Sequence, residues 1–156
     1  MGIVLVTVSL MLISTRSFSS ASTEAVQATP QRGSYVIGVD AGTESVRVGI
    51  YRVAAASSSL LSSASEPYPA HFPQAGQAEQ HPEQWWRALG VACRKALAEV
   101  DETVREGIVG LAVDTTACSV VALDREMRPL RPCLLWMDTR AALQCRDILD
   151  KARCVV

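Results

Sequence analysis

The sequence predicts an α/β domain, and three observations carry the prediction. Two β-branched, alternating runs, Tyr35 to Val39 and Val46 to Tyr51, flank the short segment "DAGTES" and read as an antiparallel hairpin. Apolar residues then recur every three or four positions through Trp85, Leu89, Ala92, Ala96 and Val100, which makes one buried helical stripe. A second strand-rich stretch and a second helical stretch follow, and strands, helix, strands, helix in that order is an α/β pattern.

The chain opens on a segment of a different kind. Gly2 to Ile13 is almost continuously apolar and leads into a Ser/Thr-rich stretch in which Arg16 precedes the first acid, Glu24. The run falls short of the ~20 apolar residues of a membrane span, so no stable span is expected. It also lacks the Lys or Arg that normally precedes a secretory h-region. An organelle transit peptide, plastid or mitochondrial, fits better, with a signal peptide or anchor and an artefact of gene prediction as the alternatives. Residues 1–33 are therefore expected to be a targeting segment, disordered or cleaved. Residues 34–156 are expected to be one intracellular domain, cytoplasmic if the segment is not a transit peptide.

Each element has a local reason. "RVAAASSSLLSSASEPYP" carries a flexible Ala/Ser turn and a third strand ending at Pro67 or Pro69, completing a meander. Loop is expected until Pro82, which sits where a first helical position tolerates proline, with Glu83 adding negative charge to the first turn. That helix runs to about Val100, with Trp85 as its anchor and Trp86 at the stripe's edge. "GIVGLAVDTTACSVVALD" reads as a buried strand from Ile108 to Val113, a polar elbow, and a strand from Ser119 to Leu123. After a turn, Cys133 to Met137 reads as a further strand. A last helix is expected to be capped by Asp138 or Thr139, with Ala142, Cys145, Ile148 and Leu149 as its apolar face.

Composition excludes several function classes. With 49% apolar and 20% charged residues in 156, the chain has the makings of one real core. The formal net charge of -1 and the lack of a basic stripe speak against a nucleic-acid partner. Five scattered cysteines without a CxxC pair fit reduced thiols rather than a disulfide framework or a zinc site. Two histidines, His71 and His81, leave little material for a histidine triad. Any metal should be a hard cation held by oxygen.

"DAGTESVR" has the residue types that a phosphoryl group with Mg²⁺ needs: the Asp40 carboxylate, the unobstructed backbone of Gly42, the hydroxyls of Thr43 and Ser45, and the Arg47 cation. No GxxxxGK[ST] is present, so this is not a Walker loop, but a turn can form an anion nest without a helix. Read bare, the same residues are also ordinary turn formers with a solvated arginine. Likewise Asp114 and Thr116 can satisfy a β-turn, Trp136 can be core, Asp138 a cap and Arg140 an exposed first-turn residue.

"IGVDAGTESVRVGIY" resembles the first phosphate motif of the FGGY carbohydrate kinases, relatives of the hexokinase, actin and Hsp70 ATPases. "PQAGQAEQHPEQWW", "GLAVDTTACSVVALD" and "PLRPCLLWMDTRA" resemble three further segments of that family's N-terminal domain, in its order and at about its spacing. The resemblance covers Tyr35 to about Leu149. It implies a ribonuclease H-like mixed sheet with flanking helices, forming part of an N-terminal lobe.

It also implies roles. Asp40 would help hold Mg²⁺, with Gly42, Thr43, Ser45 and Arg47 lining the phosphates of ATP. Glu44 stands where several relatives have a hydroxyl, and an acid there is repulsive unless it faces metal or solvent. Asp114, Thr115 and Thr116 would hydrogen-bond the sugar, Trp136 would be an aromatic wall for its carbon chain, and Asp138 and Arg140 the polar pair beyond. The implied reaction is transfer of the ATP γ-phosphoryl group to a sugar hydroxyl. The general base is expected on an aspartate downstream of Val156. The elbow looks more like the ribulose- and xylulose-directed branches than the glycerol-directed one, with ribulose ahead of xylulose. The alternative to an enzyme is a non-catalytic sugar- or nucleotide-binding remnant.

Overall fold

The structure is a computed structural model that describes residues 13–14, 34–54 and 57–153. The expected targeting segment lies outside the described residues, apart from the two-residue strand β1 (Ile13–Ser14). Contacts gather the described residues into two compact units, one built from those within 13–68 and 85–116, the other from 69–84 and 117–153.

The first unit holds the sheet. Strands β2 (Ser34–Ala41), β3 (Ser45–Ala54) and β4 (Ser57–Pro67) form the expected meander, and β6 (Ile108–Thr115) adds to β2 in parallel. The strand order is β1-β6-β2-β3-β4, a mixed sheet. Alternation decides its faces. Val46, Val48 and Ile50 of β3 and Val39 of β2 point into the core, because successive side chains leave a strand on opposite sides.

That core is closed by α1 (Pro82–Ala98), whose buried residues are Ala88, Ala92 and Ala96. Small side chains at i, i+4 and i+8 put one smooth face of the helix on the sheet. Trp85 and Leu89 pack at its margin as expected, while Trp86 faces solvent. The Ser62 hydroxyl, buried on β4, donates to the Ala96 carbonyl at 2.7 Å.

A short helix absent from the sequence reading, α2 (Glu102–Glu106), follows at once. Asp101 caps it by accepting from the Val104 amide at 2.9 Å. Arg105 turns back to donate to the Leu97 carbonyl in the last turn of α1 and to the Val100 carbonyl just past it, at 2.9 and 2.8 Å, bonding carbonyls at the helix's end.

The second unit corrects several expectations. A short β5 (Glu79–Gln80) lies inside the stretch expected to be loop, and it pairs with β7 (Cys133–Leu134), all that forms of the strand expected to reach Met137. Ser119 to Leu123 is not a strand. It makes only isolated bridges, Val120 to Leu134 and Leu123 to Pro129, because Asp124 folds the chain back by accepting from the amides of Glu126 and Arg128.

The last helix, α3 (Ala142–Arg153), starts later than expected. Asp138 does not cap it, since its carboxylate is taken by Ala78 and Arg140. The helix's expected apolar face is exposed, with Ile148 and Leu149 at 66% and 59%.

Candidate functional site

The face of the sheet opposite α1 is where the predicted phosphate residues meet. Register places Asp40 beside Asp114 on the parallel neighbour and beside Arg47 on the antiparallel one, with Ser65 next to Arg47 on β4. Asp114, Asp40, Arg47 and Ser65 thus form one row across four strands. All four line a cleft of about 670 Å³. Arg47 donates to Asp40 at 3.2 Å, both side chains being more than half exposed, so the pair is open to competition from a bound ion.

The next row inward is Ala112, Gly38, Gly49 and Ser63, small enough to leave a trough. The ring of Tyr51 lies over the two glycines. A Cβ at Gly49 would sit 2.6 Å from the ring and one at Gly38 3.1 Å, so a side chain at Gly49 would displace the ring and one at Gly38 would press on it.

The hairpin turn is held from inside. The Gly42 amide donates to the Ser45 carbonyl at 3.0 Å, and Tyr68 makes two bonds to the turn's backbone. Thr43 and Ser45 lie at this turn, and Glu44 is exposed to solvent there. The elbow is tied to the same strand end. Thr116 donates its amide to the Ala41 carbonyl at 3.2 Å, and Asp114 Oδ1 accepts from the Thr115 amide at 2.9 Å.

Chemically, this row suits a hard cation with phosphate. Among the described residues no cluster of three or more His, Cys, Asp or Glu side chains is gathered for a metal. Two adjacent carboxylates are what Mg²⁺ commonly takes from a protein when substrate phosphates and waters complete its shell. Arg47 is the complementary cation for phosphate oxygens.

The remaining predicted residues sit in the second unit. The Asp138 side chain is only 3% exposed. It accepts from the Ala78 and Arg140 amides at 2.8 and 3.0 Å and from the Arg140 guanidinium at 2.7–3.0 Å. Arg140's hydrogen bonds hold this carboxyl far below the usual carboxylate range, and burial opposes them only in part. Arg140 also pairs with Glu79 at 2.8 Å, as does Arg131. Trp136, which bare reading made a core residue, is 56% exposed. Glu79 and Arg131 were not singled out in the sequence, since their pairing follows from the β5–β7 ladder.

Residues 35–154 match the FGGY family of carbohydrate kinases, N-terminal domain. A xylulose kinase of Streptomyces coelicolor is 36% identical over 76% of this chain and 23% of its own length. The human FGGY carbohydrate kinase domain-containing protein is 34% identical over 81% of this chain and 23% of its own. Among solved structures, that of a xyloylose kinase from Brucella ovis superposes with a TM-score of 0.68 at 29% identity, over 76% of this chain and 24% of that one. The chain belongs to the FGGY carbohydrate kinase family, and its sheet is the ribonuclease H-like one of that family's N-terminal domain. It spans about a quarter of the length of the relatives it matches.

Proposed function

We propose that this chain supplies the phosphate-gripping hairpin and part of the sugar-contacting surface of an ATP-dependent carbohydrate kinase acting on a ketopentose. The observation that carries the reading is the row of Asp114, Asp40 and Arg47 at neighbouring strand ends, beside a glycine turn and a cleft. Asp40, with Asp114 adjacent, would hold Mg²⁺, and Gly42, Thr43, Ser45 and Arg47 would line the phosphates. When bound, the cation neutralises charge on the transferring phosphoryl group. Asp114, Thr115 and Thr116 would offer donors and acceptors to sugar hydroxyls, which are themselves both. Within the second unit, Trp136, Asp138 and Arg140 would offer sugar contacts of their own, Asp138 as an acceptor already held ionised by Arg140.

Xylulose is the first ketopentose to test, because several relatives are named for it, with ribulose next. Family relatives named for glycerol make glycerol the control. The experiment is calorimetric titration of wild type and Asp40→Ala with Mg²⁺ and a non-hydrolysable ATP analogue, and separately with xylulose. Loss of at least tenfold in nucleotide affinity with sugar binding retained is the expected result. Equal nucleotide affinity in the two proteins would refute the role given to Asp40.

A further inference from the structure

Tyr68 lies two dozen residues from the hairpin in sequence, yet it touches the turn twice. Its hydroxyl donates to the Gly42 carbonyl at 2.5 Å and its amide donates to the Glu44 carbonyl at 3.0 Å. One residue thus holds the carbonyls at both ends of the Gly42–Thr43–Glu44 link. The register explains why: the β3–β4 ladder ends with Ser45 opposite Pro67, so the chain leaving β4 passes directly behind the turn. Tyr68 is 3% exposed and belongs to the same core cluster as Val46 and Val48, so the hydroxyl is aimed by a packed side chain.

The geometry assigns to Tyr68 the role of a positioning residue that sets the hairpin turn in its phosphate-binding shape. This rests on the nucleotide reading above and names a residue on which that site depends. In a trans peptide the N–H points away from the C=O of its own plane, and no cis bond occurs among the described residues. Holding the Gly42 and Glu44 carbonyls inward therefore fixes the aim of the Thr43 and Ser45 amides. A turn with those planes free to rotate would have to be ordered by the ligand, which weakens binding. Burial, and after it the nearby Asp40 charge, raises the Tyr68 pKa, so the hydroxyl remains a donor well above neutral pH.

The test compares wild type with Tyr68→Phe, which keeps the ring and removes only the oxygen. Ser62→Ala is the matched control, since it deletes another hydroxyl-to-carbonyl bond nearby, from β4 to α1 rather than to the turn. The ligand is Mg²⁺ with a non-hydrolysable ATP analogue, followed by calorimetry, with amide exchange across residues 42–45 and thermal melting measured alongside. Tyr68→Phe is expected to bind about tenfold more weakly and to exchange faster at 42–45. Ser62→Ala should melt lower while keeping wild-type affinity and exchange at the turn. Equal affinity in Tyr68→Phe and wild type would overturn the positioning role and leave the nucleotide reading standing. An equal loss of affinity in Ser62→Ala would reduce the Tyr68 effect to general destabilisation and also overturn it. If wild type itself fails to bind, the nucleotide reading falls, and this inference with it.

Discussion

Arg47 shows how a single exposed side chain can matter little for stability and much for a site. Its ion pair with Asp40 at 3.2 Å sits in solvent on both sides, and such pairs contribute ~0–1 kcal/mol. Arg47→Ala should therefore change the unfolding free energy by less than about 1 kcal/mol. A charge-assisted hydrogen bond to a bound phosphate contributes about 1.5–3 kcal/mol, so the same substitution should weaken Mg-nucleotide binding by about ten- to a hundredfold. Parallel denaturant titration and calorimetry measure both. A large stability loss with unchanged affinity would make Arg47 a structural residue. That Asp40 and Arg47 belong to one hairpin was legible in the sequence, but that they are cross-strand partners follows from the register the structure shows. Tyr68 was not legible, since its reach to the turn depends on where β4 ends after the irregularity opposite Ile50 and Tyr51. No local pattern encodes that.

The elements divide along the same line. The hairpin and α1 were readable because each has a strong period and a core to face. The stretch from Ser119 to Leu123 has the composition of a strand, but forms only isolated bridges, and the Asp124 turn holds it there. Strand β3 also contains a feature that can be tested. With Tyr51 lying on Gly49, the new Cβ of Gly49→Ala would meet the ring at 2.6 Å, and overpacking of this kind usually costs ~1–3 kcal/mol. Removing the ring with Tyr51→Ser should abolish most of that penalty, and the non-additivity of the double mutant measures the contact. Additive effects would show that the ring simply swings aside. Helix α3 supplies the opposite case. Its stripe of Ala142, Cys145, Ile148 and Leu149 is regular but exposed, so Leu149→Glu should alter stability by no more than about 0.5 kcal/mol. Binding of a hydrophobic dye should fall in the same variant; collapse of the fold instead would show that the stripe is covered.

Across the whole molecule, groups in both units combine into one pH profile. Asp138 and Asp124 are held below the ordinary carboxylate range by hydrogen bonds from Arg140 and from Arg128 respectively. A carboxyl whose folded pKa is depressed stabilises the fold above its unfolded value of about 3.9 and loses that contribution as pH falls toward the folded value. At the alkaline side, burial pushes the Cys133 thiol up to about 11 and also raises Tyr68. These groups stay neutral in the fold, so their contribution is complete below the unfolded pKa and is lost as pH rises through the folded one. Melting temperature should therefore be flat from about pH 5 to 8, fall below about pH 4, and fall again above about pH 9. Asp138→Asn should melt lower than wild type at neutral pH and converge with it in acid, where both lack the charge. Cys133→Ala should flatten the alkaline fall in proportion to the thiol's share. If the Asp138→Asn curve instead runs parallel to wild type down to the lowest pH, the half-buried Asp138–Arg140 pair contributes nothing to acid stability.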